Sequence, residues 1–280
     1  MSGKDSFVQI VKSYLTSDKV KLPVFSTIAL NIKNEITKEE PDVRLVEKLI
    51  THDQALTSEV LKVSNSSFYK GLQQITTVRN AIVRLGINEV SNIVTLVTHK
   101  NLFYSNNQLL NNIMQNLWRH SVGCAIGSHW LARHRDMQGA MHESFFAGLL
   151  HDVGKLLILK VAEELKKHNR LSVQISDALL NEAMNTLHTD FGYSLMKHWS
   201  FPEKYCEIAR KHHSIEFDTK NLLLTMVRLA DMACNKLGIG LKTDSSIVLL
   251  ATKEASVLRL SEIDMANFEI YLEDTSVANL

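Results

Sequence analysis

The 280-residue chain is 45% hydrophobic and 22% charged, an ordinary balance for a globular protein and one that excludes wholesale disorder. With 31 basic and 30 acidic residues the formal net charge is only +1, so no global field draws the chain to an anionic membrane, and nucleic-acid partners are not expected. Cys124, Cys206 and Cys234 are too few and too scattered for a disulfide framework and fit a reducing compartment, while 3 prolines and 11 glycines leave little turn punctuation and favour long helices.

Residues 1–6 carry charge with no apolar core behind them, so no signal peptide is expected. No apolar run reaches membrane-spanning length either, and a cytoplasmic protein with no membrane partner is expected. Phe7, Ile10, Val11, Tyr14 and Leu15 recur at helical spacing until Ser17-Asp18-Lys19 breaks the pattern. Pro23 is predicted in the first turn of a second helix bearing Val24, Ile28, Leu30 and Ile32, and Pro41 at the start of a third with Val43, Leu45, Val46, Leu49 and Ile50. Thr51-His52-Asp53-Gln54 has the form of a capping box, with Thr51 opening a helix through Leu56, Val60, Leu61 and Val63. Ser64-Asn65-Ser66-Ser67 stops that helix, and Phe68-Tyr69 begins a loop reaching Thr77. Val90, Ile93, Val94 and Val97 form one buried helical stripe.

Polar residues between Asn101 and Asn112 mark a soft boundary. Beyond it a helix holds Leu117, Trp118, His120, Val122, Ile126 and Trp130; later helices centre on Leu187 to Trp199, Tyr205 to His213 and Leu222 to Leu237, with Ser261 capping a terminal one. Within this half an apolar run from Phe145 to Leu150 meets His151-Asp152-Val153-Gly154-Lys155. Taking an adjacent imidazole and carboxylate out of water is costly unless each is paired or binds a metal. His120, His188, His212, His213 and Asp231 lie in or beside helical segments of the same half, and facing helices are one way to assemble metal ligands. Imidazole combined with carboxylate suits Fe, Mn, Co, Ni or Zn.

Blander readings account for other residues. His129, His134, His142, His168 and His198 read as surface residues, Trp118, Trp130 and Trp199 as core aromatics, Cys206 and Cys234 as buried small hydrophobes, and Lys166-Lys167-His168 as a solvated helix end. Lys155 reads as a solvated lysine at a helix end, against which stands a role beside a phosphoryl group. Asp231 follows Val227, Leu229 and Ala230, which points to burial. Adjacent helical residues point about 100° apart, which leaves a flanking role for one of His212 and His213.

In order, His120, Gly148-Leu149-Leu150-His151-Asp152-Val153-Gly154-Lys155 and Arg228-Leu229-Ala230-Asp231 resemble the pattern of the HD superfamily of metal-dependent phosphohydrolases. In the first half Leu22-Pro23, Asp53-Gln54-Ala55-Leu56-Thr57, Val63-Ser64-Asn65-Ser66-Ser67-Phe68-Tyr69, Ile75-Thr76-Thr77, Ala81-Ile82 and Leu85-Gly86 resemble the HDOD domain, the HD-related output domain of bacterial signalling proteins. Gln54 stands where that family often has proline. The resemblance runs from about Leu22 to Asp231 and implies an all-α fold of two packed helical bundles. Residues 1–106 would form an HDOD-type N-terminal part, and 107–280 an HD-like part with a metal site.

Matched to the related HD-GYP phosphodiesterases, the resemblance implies metal ligation by His120, His151, Asp152 and Asp231, joined by His188, His212 and His213, with Lys155 at the phosphate-contacting position. Two departures weigh against hydrolysis: Ser214-Ile215-Glu216 replaces the GYP tripeptide after His213, and Asn116 stands where a third-metal glutamate can occur. The implied function is a cytoplasmic bacterial signalling module that holds one or two divalent transition-metal ions and acts through a protein partner or ligand-dependent conformation. The alternative is a metal-dependent phosphohydrolase, a phosphodiesterase or phosphatase, on a nucleotide or other phosphate ester. In that case Asp152 would bridge the metals and Lys155 would balance phosphoryl charge.

Overall fold

Helix caps and apolar stripes set the element boundaries throughout the computed structural model, which describes residues 6–17, 20–69, 71, 73–168 and 176–275. Helix α1 (Phe7–Leu15) starts from a capping box between Ser6 and Gln9 and buries Phe7, Val11 and Leu15 along one face. It packs against α10 and α9, defined below. The expected break after it falls partly on Asp18 and Lys19, outside the described residues.

The first bundle comprises α2 (Thr27–Ile36), α3 (Val43–Thr51), α4 (Gln54–Ser64), α5 (Val78–Leu85) and α6 (Ile87–Lys100). Three expected starts move here. Pro23 precedes α2 rather than opening it, because Ser26 accepts a hydrogen bond from the Ala29 N–H and so satisfies a free amide, which proline cannot do. Pro41 likewise precedes the Asp42 cap of α3. Thr51 is not the cap of α4 but the last residue of α3, its hydroxyl bonded to the Glu47 carbonyl at 2.8 Å. The Asp53 carboxylate takes the capping position and accepts from the Leu56 N–H at 3.0 Å, where its charge also complements the helix dipole. At the other end Asn65 caps α4, and its side chain exchanges two hydrogen bonds with the Ile75 backbone, each 2.8 Å long, pinning the loop's return.

The second bundle is built on α7 (Gln108–His134), which is buried on every side from His120 to His129. Around it lie α8 (Met141–Leu150), α9 (Val153–Lys167), α10 (Asp177–His198), α11 (Glu203–Lys211), α12 (Leu222–Lys236), the short α13 (Lys253–Val257) and α14 (Glu262–Asp274). Ser261 caps α14 as expected, in a capping box with Asp264. Trp118 and Trp199 are core residues, and half-buried Trp130 stacks on Phe268 and His134. The bundles meet where α6 packs on α8 and where Phe25 packs against Trp199 and Phe201, with the Trp199 indole N–H donating to the Pro23 carbonyl at 2.8 Å. The fold is all-α, two packed helical bundles. Among the described residues no helix is long and apolar enough to cross a membrane.

Candidate metal centre

Between Leu150, the last residue of α8, and Val153, the first of α9, the chain has room for only two residues, His151 and Asp152. Asp152 occupies the N-cap position of α9 but makes no capping bond with its side chain, so its carboxylate is free to face the interior. Close helix approach brings the other groups to it. A Cβ on Gly154 would overlap the His188 carbonyl oxygen, so only glycine lets α9 and α10 approach this closely. After α12 the chain turns through Gly240 at φ +127°, where a Cβ would come within 2.5 Å of His120 Cβ, and the preceding Ile239 carbonyl is thereby laid against the His120 ring.

Four imidazoles share one arrangement. Nδ1 of His120 lies 3.1 Å from the Ile239 carbonyl, Nδ1 of His151 2.7 Å from Gly148, Nδ1 of His188 2.7 Å from Met184, and Nδ1 of His212 2.9 Å from Ala209. A carbonyl oxygen only accepts, so each Nδ1 carries a proton, and Nε2 is the atom each ring turns toward the cluster, with a lone pair wherever the ring is neutral. All four Nε2 atoms converge on Asp152. Oδ2 is 3.5 Å from His120 and 3.5 Å from His151; Oδ1 is 3.5 Å from His188 and 3.3 Å from His212. The His188 and His212 Nε2 atoms stand 3.3 Å apart, while buried His151 Nε2 and Asp152 Oδ1 have no hydrogen-bond partner. Lone pairs that face one another across a buried space are stabilised by a proton or a metal cation between them.

Asp231 completes the cluster from α12, with Oδ1 3.1 Å from His120 Nε2 and held by the Asn235 amide at 3.0 Å. Burial alone would raise the pKa of both aspartates. Lys155 and the surrounding imidazoles instead hold Asp152 well below the carboxylate range, and hydrogen-bonded His120 does the same for Asp231. Burial pushes His151 and His188 down to about 3, leaving both rings neutral. In His120 burial is outweighed by the Asp231 bond and the two carboxylate charges, and the pKa rises to about 9. Two ligand groups result, His120 with Cys124, His151 and Asp231, and Asp152 with His188, His212 and His213; within each, the candidate atoms lie within 4.8 Å of one another. The donor set of imidazole, carboxylate and thiol fits a divalent transition metal.

Among the residues singled out in the sequence, His120, His151, Asp152, His188, His212 and Asp231 are thus drawn into one buried cluster. His213 stands at its rim, with a side chain 44% exposed and Nδ1 3.8 Å from Asp231 Oδ2. Lys155 is not a solvated helix end: it is buried, and its ammonium donates to Asp152 Oδ2 at 2.5 Å because desolvation makes that pairing obligatory. A cavity of about 30 Å³ beside the cluster is lined by Lys155, Asn181, His213, Asp231 and Lys242 among others, space on the order of a single water.

Two histidines expected on the surface are not there. His129 is buried and bonded to Glu89 at 3.0 Å, and half-buried His142 lies 2.8 Å from the same carboxylate oxygen. Cys124 was missed as a member of the cluster; the signal available was its position four residues after His120 on one helix face.

A two-bundle all-α chain with His and Asp clustered at the heart of its second bundle defines an HD-type fold. The chain belongs to the HDOD domain family, whose profile matches residues 22–215. Over nearly its whole length it shares the fold of an HDOD domain protein of unknown function from Geobacter sulfurreducens, with 23% identity, a TM-score of 0.76, and 97% of this chain and 95% of the other covered. A Shewanella amazonensis SB2B protein, provisionally named a metal-dependent phosphohydrolase, is 19% identical with a TM-score of 0.74, covering 98% and 97% of the two chains. An uncharacterized protein of Treponema pallidum (strain Nichols) is 23% identical over 223 residues, 75% of this chain and 42% of that protein. The chain spans less than half the length of the curated relatives it matches.

Proposed function

We propose that this chain is a bacterial signalling module in which His120, His151, Asp152, Asp231, His188 and His212, with His213 at the rim, hold one or two divalent transition-metal ions, Fe, Mn, Co, Ni or Zn. The observation that carries this reading is the convergence of four imidazole Nε2 atoms on Asp152, each ring fixed by a backbone carbonyl at Nδ1. Such carbonyl contacts orient metal-ligating histidines and fix their tautomer. Asp152 offers one oxygen to each pair of rings, the disposition of a bridging carboxylate.

The role we assign to the metal is structural or sensory. Lys155 already neutralises Asp152, and the cavity beside the cluster is small, about 30 Å³. Output then passes through a protein partner or through a ligand-dependent change in how the bundles pack. Three free cysteines fit the reducing cytoplasm, where we place the protein.

The second reading, a metal-dependent phosphohydrolase on a nucleotide or other phosphate ester, is favoured by one observation: Lys155, Asp152 and His213 border the same small cavity or the cluster beside it. A bound ion would supply Lewis acidity and an activated water there. The deciding experiment is turnover on phosphodiester and phosphomonoester panels with Fe, Mn and Co added to purified protein whose metal content has been measured. We expect bound metal and no turnover. Metal-dependent turnover that is lost in Asp152→Ala overturns the regulatory reading in favour of the hydrolase.

A further inference from the structure

Cys124 sits one helical turn after His120 on α7, buried, with its Sγ 3.6 Å from His120 Nε2. A buried cysteine is ordinarily a small apolar filler. This one faces donors instead: its sulfur shares a 4.8 Å radius with ligand atoms of His120, His151 and Asp231. Within that group His151 Nε2, on a residue only 1% exposed, has no hydrogen-bond partner and points into the same space. The His120 nitrogen nearest the sulfur is also the one that faces Asp231 and Asp152.

We propose that Cys124 is a thiolate ligand, so that the half-site of His120, Cys124, His151 and Asp231 binds a softer ion than the half-site of Asp152, His188, His212 and His213. The inference rests on the metal-binding reading above and adds a chemical asymmetry to it. Two nitrogens, one oxygen and one sulfur make a four-donor set of the kind that zinc, cobalt and ferrous iron accept in tetrahedral geometry, whereas magnesium and calcium decline sulfur. A thiol that binds a metal gives up its proton as the ion enters, so the thiolate forms with the metal bond. Cys234 lies close by on α12 but belongs to neither ligand group, so it serves as an internal control.

Cobalt(II) titration of the whole chain separates this inference from the reading beneath it. Imidazole and carboxylate ligation gives weak visible ligand-field bands, while a cobalt–thiolate bond adds an intense near-ultraviolet charge-transfer band. Both are expected in the unaltered protein. Cys124→Ser should keep the visible bands and lose the ultraviolet one, and Cys234→Ser should keep both. Visible bands without the ultraviolet one, or an ultraviolet band that survives Cys124→Ser, overturn the thiolate ligand and leave metal binding intact; no cobalt spectrum at all overturns both. Should Cys124→Ser fail to fold, X-ray absorption of the zinc-loaded unaltered protein decides the matter: a sulfur scatterer at about 2.3 Å is expected, and a shell of nitrogen and oxygen alone overturns the inference.

Discussion

The molecule buries two clusters of imidazole and carboxylate, one between the bundles and one inside the second bundle, and they treat their hydrogen-bonding capacity differently. At the seam, Glu89 of α6 receives the Tyr69 hydroxyl on Oε2 at 2.9 Å and His129 Nε2 on Oε1 at 3.0 Å, with His142 Nδ1 2.8 Å from Oε1. Burial alone would raise its pKa, but the two imidazoles bring it down to about 2. Two of those contacts, from Tyr69 and His129, are hydrogen bonds, while His142 Nδ1 lies close to the carboxylate without hydrogen-bond geometry. Inside the second bundle the Nδ1 protons of His151, His188 and His212 go to backbone carbonyls, and their Nε2 atoms face the Asp152 carboxylate, to which Lys155 donates. His99 supplies a control for the comparison. Both of its ring nitrogens lack partners, yet it sits among Phe25, Phe103, Trp118 and Trp199 with no carboxylate beside it. A histidine without partners does not define a site; several lone pairs aimed at one carboxylate do.

The comparison can be broken in order of expected effect. Glu89→Ala leaves His129 and the Tyr69 hydroxyl without their shared acceptor, and we expect a loss of about 3–5 kcal/mol in urea denaturation, equal with and without metal. An effect that changed with metal would mean that the two clusters are coupled. In the second bundle, zinc at a hundredfold excess over its dissociation constant should add about 2.7 kcal/mol to stability, and a chelator should remove it. His188→Gln should abolish that increment while changing metal-free stability by less than about 1 kcal/mol, because the new amide can donate to Asp152 Oδ1.

His99 sharpens the contrast through pH. Burial lowers its pKa from 6.5 to about 3, so between those values the unfolded chain binds a proton that the folded chain refuses. Stability therefore falls as pH falls through this window, at roughly 1.4 kcal/mol per pH unit from this residue. His99→Phe should flatten the acid limb by that slope in denaturation midpoints taken from neutral pH downward; an unchanged slope would show that the ring is protonated in the folded protein. The smallest effect concerns caps in the first bundle: Asp53→Ala should cost about 1 kcal/mol, whereas Thr51→Ala should cost only a few tenths.

Those caps mark where sequence reading stops. Helices and apolar stripes were legible because the 3.6-residue period is local, as for Val90, Ile93 and Val94, all fully buried. Starts at Pro23, Pro41 and Thr51 were misplaced by a few residues because neighbouring polar groups compete for the same free amides, and tertiary placement decides which one prevails. In the second bundle His151-Asp152 stood out because a charged pair interrupts an apolar run. The burial of Lys155 and His129 was not legible, since a lysine or histidine on a helix reads as solvated until its partner, Asp152 or Glu89, is known from the fold. Cys124 was hidden by its ordinariness: a small apolar residue on a buried helix carries no mark of what its sulfur faces.

Metal stoichiometry tests the central claim most directly. Elemental analysis of protein purified without chelators, then dialysed against Zn, Fe, Mn, Co or Ni, should find one or two transition-metal ions per chain, and none in a His188→Gln/His212→Gln double variant that still folds. A chain that arrives free of metal and takes up none of the five would contradict the assignment of the four convergent imidazoles and Asp152 as a metal centre.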